Sequence, residues 1–518
     1  IRDSFKKALD LIDRSLVRNW HHHKARQLKV SILRHLGRKE EAFDLIAESL
    51  KIDRFNMGCR FEQYLLTGDD HVLKEMQRLM HGAAHVYIEY ALDFAQAGLY
   101  DEAINLLEGY AATQSSVYPM VHYALGYCHS RKGDTGKALE YYKKAEQDDH
   151  SYCFPNRIEE VLVLQDAMKE NHEACAKAAY ALGNFWYAAR QYDNAIACWE
   201  ASAAIAPAFP TVWRNLSLAY YNKRNDPQKA VETLEKAYRL DESDARILME
   251  LDQLYKRLGR PQAERLAFLE AHPAETESRD DLSIERITLY NQLGRYEEAK
   301  ALIAARKFHP WEGGEGKIMG QYTICHVELA KIALREHRYA DALALLQATD
   351  QYPYNLGEGK LINAEENDIW YYKGLAYRGL GDEENAKLWL HKATQGSAEP
   401  QQAFFYNDAQ PDKIFYQGLA WRALGEEGKA RGRFNKLIKH GEKHLFDHCR
   451  IDYFAVSLPD LAIWEDNLDK RNAIHCNYVM GLGYLGLEDR VHAIEYLDKA
   501  RALDINHQGA QIHRELCE

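Results

Sequence analysis

Small and large apolar positions recur along this chain in one frame, Gly-x-(Tyr or Asp)-x-x-Ala, with another small or apolar residue seven positions on. The frame is carried by Gly98, Tyr100, Ala103 and Tyr110, then by Gly126, Gly133, Ala138, Tyr142 and Ala145. It returns at Leu182, Gly183, Trp186, Ala195, Trp199 and Pro207, and again at Trp213, Leu216, Tyr220, Ala230, Leu234 and Ala237. Small residues let two helices approach closely, and large rings fill the groove between one pair and the next. The frame therefore predicts antiparallel helix pairs stacked in series, with no strands.

The second-helix alanine serves as a ruler: Ala8, Ala42, Ala103, Ala138, Ala195, Ala230, Ala263, Ala299, Ala342, Ala386, Ala430 and Ala493. Ala103 to Ala138 and Ala195 to Ala230 each span 35 residues, whereas the steps from Ala299 to Ala430 are 43, 44 and 44. The surplus falls between helix pairs, at 308–320, 351–366 and 397–412, and insertions in stacked repeats are expelled to one face, often the binding face. Wider gaps are expected to hold a degenerate pair near 55–80, a helix near 155–170 and an extra segment at 441–468. Residues 505–517 read as a capping helix, and the Pro/Glu/Ser stretch 272–279 as a loop. Ala8 already occupies a mid-helix packing position, so the sequence is expected to begin inside a repeat, after a preceding region.

These positions resemble the tetratricopeptide repeat, a helix pair of about 34 residues. The expectation is an all-α, TPR-like helical-hairpin superhelix of about twelve pairs. Residues 1–300 form one array, and 301–518 form an array with long inter-repeat loops and a terminal cap.

Two of the long loops repeat each other. His-Pro-Trp-Glu-Gly-Gly-Glu-Gly-Lys at 309–317 and Tyr-Pro-Tyr-Asn-Leu-Gly-Glu-Gly-Lys at 352–360 align 43 residues apart, with Trp311 and Tyr354 in register. Glycines here permit positive φ and close approach. A helix beginning near Lys317 or Lys360 would turn its free amides toward each loop. The candidate residues are Trp311, Glu312, Glu315 and Lys317 from the first loop, and Tyr354, Asn355, Glu358 and Lys360 from the second. Following helices and the third loop add Tyr322, His326, Asn367, Trp370, Tyr371, Tyr406, Asn407 and Tyr416. Rings with nearby amides and charges suit peptide or sugar-like ligands. The alternative is that Glu315 and Glu358 cap helices and that the rings are repeat packing.

Both loops, with Glu366-Asn367-Asp368-Ile369, Tyr406-Asn407-Asp408, Phe415-Tyr416-Gln417-Gly418 and Asp447 to Phe454, are similar to the C-terminal half of a bacterial family. In that family TPR repeats follow a domain resembling a galactose-mutarotase-like β-sandwich. The resemblance implies a carbohydrate-linked setting and assigns no catalytic residue. It makes the preceding domain the expected partner of the groove and the 308–412 loops, with a peptide as a further possibility. A saccharide held jointly with that domain, with Glu312 or Glu315 supplying a carboxylate, is the rival reading.

Charge narrows the partners. A net charge of −12 disfavours nucleic acid and anionic membranes, which require clustered Lys and Arg. No apolar run of about 18 residues suggests a membrane span. Nine scattered cysteines without CxxC pairs read as small buried apolar residues of a reducing, cytoplasmic compartment. No cofactor or metal is implied. His21-His22-His23 points three ways around a helix and reads as a solvated terminus, and the Asp447-His448-Cys449 run, with His475 and Cys476, as a local polar network. The chain alone is expected not to be catalytic.

Overall fold

The computed structural model describes residues 2–172, 174–311, 313–403, 408–450 and 463–518. The described residues hold 28 α-helices and a single 3₁₀ turn, Tyr354–Leu356, and no strand. They fall into two compact units, 1–216 and 217–518. The lengthening of the repeats after 300 lies inside the second unit.

The ruler alanines explain how the helices pair. Ala42, Ala103, Ala138, Ala195, Ala230, Ala299, Ala342, Ala386, Ala430 and Ala493 are all completely buried. Opposite them runs a second regularity: a glycine on the first helix faces a large side chain sixteen positions on. Gly126 meets Tyr142, Gly183 meets Trp199, Gly374 meets Leu390, Gly418 meets Phe434 and Gly481 meets Leu497. A Cβ on Gly126 would lie 2.3 Å from the Tyr142 ring, so the glycine is the socket for the ring. Burying such a ring contributes about 1.5–3 kcal/mol. The chain reverses between helices through left-handed glycines, as at Gly98 (φ +76°), which separates Ala84–Gln96 from Tyr100–Ala111.

Three expectations are corrected. Ala263 is exposed rather than packed, because it is the second residue of its helix, Gln262–Glu270, whereas the buried Ala299 is the fourth of the equally long Tyr296–Ala304, a place taken here by Arg265. Arg265, Leu266 and Leu269 face inward instead. The 272–279 stretch is not a loop: Pro273 occupies the first turn of a short helix, Pro273–Ser278, where its missing N–H costs nothing. The helix after the second loop starts at Asn367, not near Lys360, whereas the first loop's helix does start at Lys317. Lys360 is held upstream, against Thr349. The capping helix is present as Gln508–Glu515.

In the second unit the last elements return to the first. Trp464 Nε1 donates to Glu250 O at 3.3 Å, Gln262 Nε2 to Ile505 O at 2.8 Å, and Gln292 Nε2 to Asn506 O at 2.8 Å. Arg265, fully buried, donates to both Asp252 oxygens (3.0 and 2.7 Å), to Glu285 (2.7 Å) and to Asn506 Oδ1 (3.2 Å). Burial would raise the Glu285 carboxyl, but Lys256 and Arg265 hold it down at about 2. The last elements of this unit are therefore bonded to its first helices, and cavities of about 980 and 1070 Å³ lie among its described residues.

Candidate interaction site

The first two long loops are stitched to each other. Asn355 Nδ2 donates to Ile303 O (2.7 Å) and Arg306 O (2.8 Å), satisfying one carbonyl in the last turn of the Tyr296–Ala304 helix and one just beyond it. Its own carbonyl accepts from Phe308 N at 2.8 Å. Gly357, at φ +80°, brings its Cα so close to Phe308 O that a Cβ would lie 2.5 Å away. Gly316 N donates to Glu358 Oε2 at 3.3 Å, tying the first loop back to the second. Beside these contacts Leu356 is buried.

The matched residues of the two loops take different partners. Glu315 accepts from Gly313 N in its own loop at 2.8 Å, while Glu358 reaches across to the other loop. Burial, and then Glu315 nearby, push the Glu358 carboxyl above its ordinary range despite the Gly316 N–H. Lys317 Nζ lies 5.8 Å from the Trp311 ring centre, and both line the larger cavity. Lys360 instead donates to Thr349 O (2.9 Å), just beyond the Tyr339–Ala348 helix, and pairs with Glu366 at 2.5 Å. Trp311 is half-buried, its ring against Gly314. Tyr354 is 89% exposed, with Lys307 Nζ 5.6 Å from its ring.

Trp311, Glu315, Tyr354 and Glu358 thus do not meet in one pocket: Trp311 faces the larger cavity, Glu358 the smaller one, and Tyr354 solvent. Several other candidates hold the repeats together. Asn367 is buried and donates to Ala393 O and Gln395 O, bridging the end of the next helix. Tyr322 donates to Ala348 O at 3.0 Å. His326 contacts Tyr322 O at 2.7 Å, and burial lowers its pKa. Tyr371, Tyr372 and Tyr416 form a ring cluster, the last two with their hydroxyls 3.3 Å apart. Trp370 packs near Leu390 and Ala420 under the Lys392 ammonium. Glu312, Tyr406 and Asn407 lie outside the described residues.

The smaller cavity is walled by Tyr352, Tyr416 and Tyr478 and by carboxylates including Glu358, Asp368 and Asp412. Lys413 pairs with Asp368 (2.6 Å) and Asp412 (3.3 Å); burial would lower it, but these carboxylates raise its pKa. His513, also on the wall, is kept neutral by burial, its pKa brought down to about 4. Among the described residues no group of three or more metal-binding side chains converges. His448 and Cys449 N both contact the Asp469 carboxylate, and His475 Nε2 contacts Gln401 O. His22 accepts from Ala25 N as the cap of the helix that begins at His23. All nine cysteines are free, and eight are buried. No described helix is long and apolar enough to cross a membrane.

Sequence reasoning missed Leu361 and Ile362, both exposed within the second long loop, and the closing residues Asn222, Arg265, Trp464 and Asn506. The one available signal was Arg265, a long cation two positions after the ruler alanine Ala263.

Solved structures similar to this chain include MamA from Desulfovibrio magneticus RS-1, at 22% identity over 38% of this chain and 97% of that one (TM-score 0.23). Pseudomonas aeruginosa pilF is 18% identical over 43% of this chain and 90% of its own, with TM-score 0.26. YrrB, described as a TPR protein with an unusual peptide-binding site, is 15% identical over 46% and 95%, with TM-score 0.18. Residues 90–152 and 327–400 match the family profile of the tetratricopeptide repeat, one matched stretch in each compact unit.

Proposed function

We propose that this chain is a protein-interaction scaffold whose contact surface is the outer rim of the second long loop. The observation that carries the reading is a rigid loop with an uncovered apolar edge. Asn355, Gly357 and Lys360 fix its backbone, while Tyr354 is 89% exposed, Leu361 46% and Ile362 fully exposed. Ordering a loop costs roughly 1–2 kcal/mol per residue, so a loop fixed in advance spares that cost at binding. Apolar side chains held out in this way supply the anchors around which interfaces form.

The partner proposed is the domain that precedes such repeats in the family the sequence resembles, because a fixed surface suits a fixed partner. Affinity between the two, expressed separately, tests this. Tyr354→Ser with Ile362→Ser is expected to weaken binding at least tenfold while Trp311→Ala, on the cavity side, changes it less than threefold. Unchanged binding in the double variant overturns the assignment.

A saccharide reading draws support from a different place, the Tyr- and carboxylate-lined cavity of about 980 Å³. Its test is saturable oligosaccharide binding that Tyr416→Ala removes and Tyr354→Ser leaves alone.

A further inference from the structure

Residues 463–467, Ile-Trp-Glu-Asp-Asn, run without helix across the face formed by the Pro210–Arg224 and Ala245–Arg257 helices. They arrive there from more than 200 positions later in the chain. The way they are held differs from ordinary core packing. The Asn222 side chain grips main chain twice, Nδ2 donating to Ile463 O and Oδ1 accepting from Glu465 N, both at 2.9 Å. Arg257 donates to the carbonyls of Trp464 and Glu465, each at 3.2 Å. Between these clamps the Trp464 ring is 2% exposed, packs edge-on against Tyr221 at 5.2 Å, and donates to Glu250 O. The two acidic side chains meet cations: Lys223 pairs with Glu465, and Arg257 lies 3.6 Å from Asp466.

Four main-chain bonds made by two side chains read backbone, not sequence. The tryptophan pocket and the two cations add sequence selection: a ring, then acidic residues. Such a combination of backbone grip with side-chain pockets is how proteins read extended peptides. We infer that this face is a peptide-recognition site for a non-helical segment with tryptophan followed by acidic residues, and that residues 463–467 are its resident occupant. A peptide of that chemistry from another protein competes with the chain's own segment and, by displacing it, loosens the closure of the second unit.

The test uses the full 518-residue chain and a fluorescein-labelled peptide, Ile-Trp-Glu-Asp-Asn-Leu-Asp, followed by anisotropy. Trp464→Ala vacates the pocket and is expected to bind the peptide at least tenfold more tightly than the unaltered chain. Adding Asn222→Ala is expected to weaken that binding about tenfold, and replacing the peptide's tryptophan by alanine to abolish it. A folded Trp464→Ala chain that ignores the peptide, or that binds both peptides equally, overturns the inference. Should Trp464→Ala fail to fold, hydrogen exchange in the unaltered chain decides. Millimolar peptide is expected to speed exchange at the Glu465 amide at least threefold, and an unchanged rate overturns the inference.

Discussion

The loops 309–317 and 352–360 share Pro, Gly-Glu-Gly-Lys and an aromatic in register, yet they do different things. In the first, Gly316 (φ +75°) ends the loop and the helix begins at the lysine. In the second, the lysine turns back onto Thr349 and Glu366, and the helix waits until Asn367. The divergence follows the positions that do not match. Asn355 and Leu356 stand where the first loop has Glu312 and Gly313, and they pin the second loop to the carbonyls of Ile303 and Arg306 and to the core. A shared glycine motif permits a set of turns; the neighbouring unshared residues choose among them.

The largest expected effect comes from contrasting the glycines. Gly357→Ala combines a left-handed backbone with a Cβ 2.5 Å from Phe308 O and is expected to cost about 3 kcal/mol or more. Gly313→Ala has the same φ sign but open space around it, so only the backbone term remains, about 1 kcal/mol. Urea unfolding of both variants separates the two; equal losses would mean that the close approach to Phe308 contributes nothing. Asn355→Ala strands two carbonyls at a helix C-terminus and is expected to cost about 2–3 kcal/mol in the same assay.

Smaller effects sharpen the contrast between the lysines. Lys360→Met leaves Glu366 unpaired at a largely covered site and is expected to lose about 1–3 kcal/mol, against about 0.5 kcal/mol or less for Lys317→Met on the cavity wall. The smallest is a pH effect at Glu358. Its carboxyl is raised in the fold, so its favourable contribution is complete below the ordinary carboxylate pKa and is lost as pH rises through the raised value. Glu358→Gln is expected to flatten that loss, measured as the difference in urea midpoint between the two chains from pH 4 to pH 7; parallel curves would remove the assignment.

Repeat packing was legible in the sequence because it depends on local size: alanine and glycine opposite rings, at fixed spacing, left a mark that survives at Ala103, Ala138 and Ala430. It failed at Ala263, which stands two positions ahead of the buried slot that Arg265 takes. The long loops were found by their length and their glycines, but Asn355 and Lys360 looked like ligand groups when they are hydrogen-bonded to backbone carbonyls. A side chain that caps a carbonyl and one that awaits a partner are the same letter. The closure of the second unit was not legible, because its contacts, such as Arg265 with Asn506 and Asn222 with Glu465, join residues more than 200 positions apart and follow no period.

Hydrogen exchange on the unaltered chain and on Asn355→Ala tests most directly whether the two loops form one stitched rim. The account predicts that losing the Asn355 side chain speeds exchange at Phe308 and Gly316 in the first loop as well as across 354–360, because the loops open together. If exchange rises only in the second loop, while Phe308 and Gly316 stay as protected as before, the loops are independent and the account is contradicted.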